Sequence, residues 1–225
     1  MSKSLRHTVS IRLILALVLA ATTTGCGRPW LNLGRGGGTL QVTSNVDEAT
    51  AVLRGNFQTG LYRLDSSNQV TVVLIDGPVE SPDQAVTIRM LWPPHAGRTP
   101  VEETATNATV HYVIFPATPA EQVGIYSGAG YLFPSGDPGG SRMQADLWQA
   151  TLKLDVATDG FRDLLGSATL EGRVKARRDD TGTSRTLRRI QQYLHQMLGY
   201  PRQVMGEPAP PYPQEAKLLL VPPSG

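Results

Sequence analysis

The chain has 225 residues with 21 Lys and Arg against 19 Asp and Glu, and one cysteine, Cys26. Lys3, Arg6 and Arg12 precede Cys26 and no acidic residue does, so from Cys26 onward the balance is 18 to 19, a formal −1. A pI near 8.8 therefore carries no inference of nucleic-acid binding, and a lone cysteine excludes an intramolecular disulfide framework.

The first element is the apolar run Leu13 to Ala21 behind those three basic residues. At about 1.5 Å per residue it covers roughly half of a hydrocarbon core about 30 Å thick, so it cannot span a membrane. The small residues Ala21-Thr22-Thr23-Thr24-Gly25 then lead into Cys26. This pattern is that of an export signal. The stretch Thr23-Thr24-Gly25-Cys26 resembles the processing site of bacterial lipoproteins, with Thr23 where that class usually has leucine. The resemblance covers residues 1–26 only, and no family is apparent for the rest. It implies that residues 1–25 are a signal peptide, that Cys26 is acylated, and that membrane lipid holds the mature protein. Two acyl chains suffice for stable anchoring. Gly27, in place of an aspartate, implies the outer membrane facing the periplasm, or the cell surface. The alternative is an ordinary secreted protein cut near Ala20 or Ala21 with a leftover thiol.

Residues 26–38 comprise the cysteine and a glycine-rich tether, GRPWLNLGRGGG, whose twelve residues reach roughly 20 Å if flexible. From Thr39 the pattern is two-residue alternation between turn signals, the mark of half-buried strands. Strands are expected at Thr39 to Val46, Thr50 to Arg54, Gly60 to Asp65, Gln69 to Asp76, Ala85 to Trp92, Ala108 to Phe115 and Gln122 to Phe133. Gly128 and Gly130 mark a bulge or bend in the last of these. Asp146 to Ala157 places Trp148, Ala150, Leu152, Leu154 and Val156 on one face. It forms a hairpin with Ala168 to Arg178, where Leu170, Gly172, Val174 and Ala176 face the core. With 23 glycines and 17 prolines falling mainly between the runs, the expected fold is mainly β, an antiparallel β-sandwich or else an open barrel, over residues 39–205.

Leu187, Ile190, Leu194 and Met197 recur at helical spacing and predict one amphipathic helix over about 184–198. Ser184 or Thr183 serves as its cap, and Gly199 and Pro201 as its stop. Residues 206–225, with six prolines, read as an extended tail.

No chemistry stands out. His95, His111 and His195 fall in three different elements, and no HExxH helix, phosphate loop, dinucleotide turn or G-x-S-x-G elbow is present. Asp47-Glu48, Glu102-Glu103, Asp137, Asp155 and Asp159 match no calcium loop. Catalytic residues, metal ligands and a cofactor are therefore not expected.

Two features suggest a surface. Arg173, Lys175, Arg177, Arg185, Arg188 and Arg189 concentrate positive charge near the end of the chain and suit an envelope protein, an acidic polymer or lipid headgroups. Tyr126, Tyr131 and Phe133 could offer rings to a sugar or peptide, although their spacing favours core packing. The leading function is a membrane-anchored structural or protein-interaction module. An envelope ligand-binding or carbohydrate-binding module comes second, and a hydrolase third.

Overall fold

A computed structural model describes residues 36–46, 51–91, 93, 106–116 and 122–199. Cys26, the tether up to residue 35 and the proline-rich tail lie outside these residues. The protein is mainly β, with nine strands in chain order: β1 (Gly37–Ser44), β2 (Val52–Phe57), β3 (Thr59–Leu64), β4 (Val70–Asp76), β5 (Gln84–Met90), β6 (Ala108–Ile114), β7 (Gly124–Ser135), β8 (Arg142–Ala157) and β9 (Ala168–Arg178). One helix, α1 (Asp180–Leu198), follows.

All nine strands share one hydrogen-bonded sheet in the order β2-β1-β9-β3-β4-β5-β6-β7-β8, and β8 also pairs with β9. From β3 to β9 each strand is antiparallel to the next in sequence. The sheet is mixed rather than wholly antiparallel, because β3 runs parallel to β9 at Leu61 and Tyr62. That contact arises where β1, paired with β9 from Ala168 to Lys175, runs out and β3 takes over the same edge.

The glycine run explains how this junction fits. Gly37 and Gly38 belong to β1 rather than to a tether, and Gly36 has φ +70°. A Cβ at Gly36 would lie 2.4 Å from the Gly60 carbonyl oxygen, and one at Gly37 would lie 2.3 Å from that of Phe57. Only hydrogen in place of a side chain lets the three backbones approach so closely.

Alternation divides the apolar residues between two clusters. Inward residues such as Leu40, Tyr62, Val72, Ile88, Val110, Tyr112, Leu152 and Val174 form the larger one. The smaller cluster lies on the opposite face, where Val73, Ile75, Ala85, Val113 and Ile125 meet Leu187, Ile190 and Leu194 of α1. Strand β4 is consequently buried on both faces, which its unbroken Val-Thr-Val-Val-Leu-Ile sequence reflects.

The apolar stripe of α1 is the expected one, but the helix starts earlier. Asp179 is the N-cap, its carboxylate accepting from the Gly182 N–H at 2.8 Å, so Thr183 and Ser184 lie inside the first turns. An aspartate serves here because an ionised oxygen suits both the orphan N–H groups and the positive end of the helix dipole. Gly199, at φ +75°, ends the helix by donating to the His195 carbonyl.

One strand departs from its predicted phase. In β8, Met143, Ala145 and Leu147 point inward, then Trp148 and Gln149 both point outward before Ala150 and Leu152 return to the core. The ladder with β9 slips between Leu147 and Ala150, and that with β7 slips between Ala129 and Tyr131. Gln149 sits at φ +49°. This bulge corrects the expectation that Trp148 shares a face with Ala150: an extra residue reverses the alternation.

Candidate binding surface on the outer face of β7, β8 and β9

Strand β7 carries Leu132 into the core and so sends Tyr131 and Phe133 to the outer face, half-buried. These two are not core residues, contrary to the sequence expectation, whereas Tyr126 is. Register places Tyr131 opposite Trp148. The Tyr131 and Phe133 rings are nearly parallel with centroids 6.1 Å apart, and Trp148 lies 5.8 Å from Tyr131 at a 43° tilt. Trp148 is 48% exposed, so a large apolar ring faces water beside two others.

The backbone that presents it is strained. A non-glycine residue in the left-handed region costs about 1–2 kcal/mol. In β7, Gly128 and Gly130 accommodate the distorted partner strand, since a Cβ on Gly130 would lie 2.5 Å from the Ala150 Cα. The expected irregularity at these glycines is thus present, and its effect is to aim Trp148 outward.

The basic residues of β9 lie on the same face. Arg173, Lys175 and Arg177 alternate outward, opposite Asp146, Gln144 and Arg142 of β8. Arg173 pairs with Asp146 at 3.3 Å, but both side chains are about two-thirds exposed, so the pair contributes little. Arg177 pairs with the helix cap Asp179 at 3.0 Å. Arg142 and Lys175 form no ion pair with a described residue, and Arg142 stands directly across from Arg177.

The arginines of α1 form a separate group, because α1 lies over β3 and β4. Arg185 and Arg188 are exposed there. Arg189 donates to Glu80 at 2.6 Å beside a groove of about 260 Å³ lined by Val79, Pro82, Ile190 and Tyr193. The Glu80 carboxyl is held below its ordinary value by its own backbone N–H and by Arg189. The predicted surface is therefore divided: β9 supplies one basic strip and α1 another.

Buried hydroxyls are used in structure. Tyr112 donates to Gln84 at 2.6 Å, Tyr126 to Asp163 at 2.6 Å, and Tyr62 to the Gly140 carbonyl. Burial pushes all three phenols up, and the Asp163 charge adds to the rise at Tyr126. Among the described residues no group of three His, Cys, Asp or Glu could hold a metal ion, and no helix is long and apolar enough to cross a membrane. His111 is half-buried on the outer side of β6, and His195 is exposed on α1.

No protein-family model matches the chain, and no curated protein or solved structure matches it.

Proposed function

We propose that the chain is a lipid-anchored interaction module of the bacterial cell envelope. Cys26 takes the acyl chains, and the outer face of β7, β8 and β9 meets an envelope protein or an acidic polymer. The observation that carries this reading is Trp148, turned into water by a strained bulge on a strand that could otherwise have continued its alternation. A left-handed non-glycine backbone maintained where it turns a large aromatic ring into water points to use.

We read the sheet as a closed barrel rather than two packed sheets. β9 pairs with both β3 and β8, and β3 to β8 pair in succession, so the pairings form a circuit. Its interior is occupied by side chains, among them Tyr62, Tyr112, Tyr126 and Met143, all essentially inaccessible. A filled barrel serves as a rigid support and directs binding to its outside.

Fractionation tests the anchor and affinity capture tests the face. The wild type sediments with membranes, and Cys26→Ser is released or fails to mature. Recovery of an envelope partner falls with Trp148→Ala. A soluble wild type with an unmodified Cys26 removes the anchor, and capture indifferent to Trp148 removes the face.

A further inference from the structure

We propose that the outer face of β7, β8 and β9 binds an anionic polysaccharide, with sugar rings on Tyr131, Phe133 and Trp148 and acidic groups on Arg173, Lys175, Arg177 and Arg142. This rests on the interaction-module reading above and names its ligand.

Register joins what the sequence left separate. Phe133 is opposite Asp146, which is opposite Arg173; Ser135 is opposite Gln144, which is opposite Lys175; and Arg142 is opposite Arg177. Aromatic rings thus occupy one end of a continuous surface and cations the other. From Trp148 to Arg142 the surface runs along β8 for roughly 20 Å, enough for a short run of sugar units.

Each part matches a feature of such a chain. A pyranose ring has an apolar C–H face, which packs on the electron-rich face of an aromatic ring, and a rim of hydroxyls. The rings here adjoin charged hydrogen-bonding groups, Asp146 and Arg173 in the row of Phe133, whereas the centre of a protein interface is depleted in charge. Like charges directly across a ladder destabilise it, so an anion between Arg142 and Arg177 relieves a repulsion that Asp179 offsets from one side only.

The acidic residues distinguish a glycan from single-stranded nucleic acid, which also uses rings beside cations. Asp146 pairs across the strands with Phe133, and Glu171 lies opposite the bulge that carries Trp148. Sugar hydroxyls donate to carboxylates. Phosphodiester linkages have no donor, so their repulsion by Asp146 and Glu171 is uncompensated, whereas that of a glycan's acidic groups is offset by its hydroxyls.

The test measures binding of the detergent-solubilised full chain to polygalacturonate, to neutral dextran and to oligo-dT, at low and high salt. Polygalacturonate is expected to bind tightest, with affinity falling as salt rises. Trp148→Ala and the pair Arg142→Glu with Lys175→Glu each weaken it roughly tenfold or more. All these side chains are exposed, and thermal melting verifies that the variants fold. Equal or tighter binding of oligo-dT, no binding of polygalacturonate, or indifference to both sets of substitutions overturns the assignment. If envelope capture still depends on Trp148 while polygalacturonate is not held, the ligand class fails and the interaction module stands.

Discussion

Gln149 concentrates the central tension of this molecule in one residue. Its left-handed backbone is unfavourable for any side chain with a Cβ, yet it is the pivot that puts Trp148 outside while Leu147 and Ala150 both stay inside. Gln149→Gly should therefore stabilise the fold by about 0.5–1 kcal/mol and keep Trp148 exposed. A rise in melting temperature with unchanged tryptophan emission checks this, and a fall would show that Gln149 makes contacts outweighing its strain. The same residue marks the limit of the sequence reading. Alternation places Trp148 with Ala150, Leu152 and Leu154, and nothing local reveals an inserted residue, because only the two neighbouring ladders define a bulge. Arg173, Lys175 and Arg177 lay on an uninterrupted strand, and their outward face was legible.

At the scale of elements, one carboxylate makes three of the hydrogen bonds of the connection from β8 to β9. Asp163 accepts from the Tyr126 hydroxyl at 2.6 Å and from the N–H groups of Leu165 and Gly166 at 3.0 and 2.9 Å, while Phe161 packs edge-on to Tyr126. Burial raises the Asp163 pKa, but these three hydrogen bonds outweigh it and leave the group below its ordinary value of 3.8. Its contribution is therefore full above the unfolded-chain value and is lost as pH falls through the lower folded value. Asp163→Asn should melt lower than the wild type near neutrality, with the difference narrowing in acid; a difference independent of pH would refute the linkage. Asp76 has the opposite sign, since burial and then Asp83 raise its pKa, which is why the variant comparison is needed. The stripe of α1 and the strands β6 and β9 were legible because their periods are unbroken, and β4 and β5 because they are β-branched-rich runs bounded by turn signals. The cap was not: Ser184 and Thr183 stand nearer the apolar stripe and carry the same capping chemistry as Asp179, so the sequence offers no local reason to start the helix a turn earlier.

For the whole molecule, the order of the strands in the sheet is the property that no local pattern encodes. Which strand meets which across a hundred residues depends on register and twist, so the sequence, which favours an antiparallel sandwich over an open barrel, makes the mainly β fold legible but not the parallel pairing of β3 with β9. The closed reading predicts that amide protons of β8, β9 and β1 exchange about as slowly as those of doubly buried β4. Rapid exchange along one edge of β8 or β9 would mean that the sheet opens there. Division of the basic residues is a consequence at the same scale: β9 and α1 are adjacent in sequence, but α1 turns across β3 and β4 and carries Arg185, Arg188 and Arg189 away from the β9 strip.

The pairing of β1 with β9 has a temporal meaning. Thr39 to Ser44 find their partners on that edge only in Ala168 to Arg173, near the other end of the described chain. A polypeptide emerging N-terminus first must carry an unsatisfied strand edge until its last strand arrives, and contacts so distant in sequence form slowly. The fold thus completes late, once β9 has been made. Stopping synthesis before Ala168 would leave both β1 and β8 with open edges, a form suited to aggregation rather than assembly.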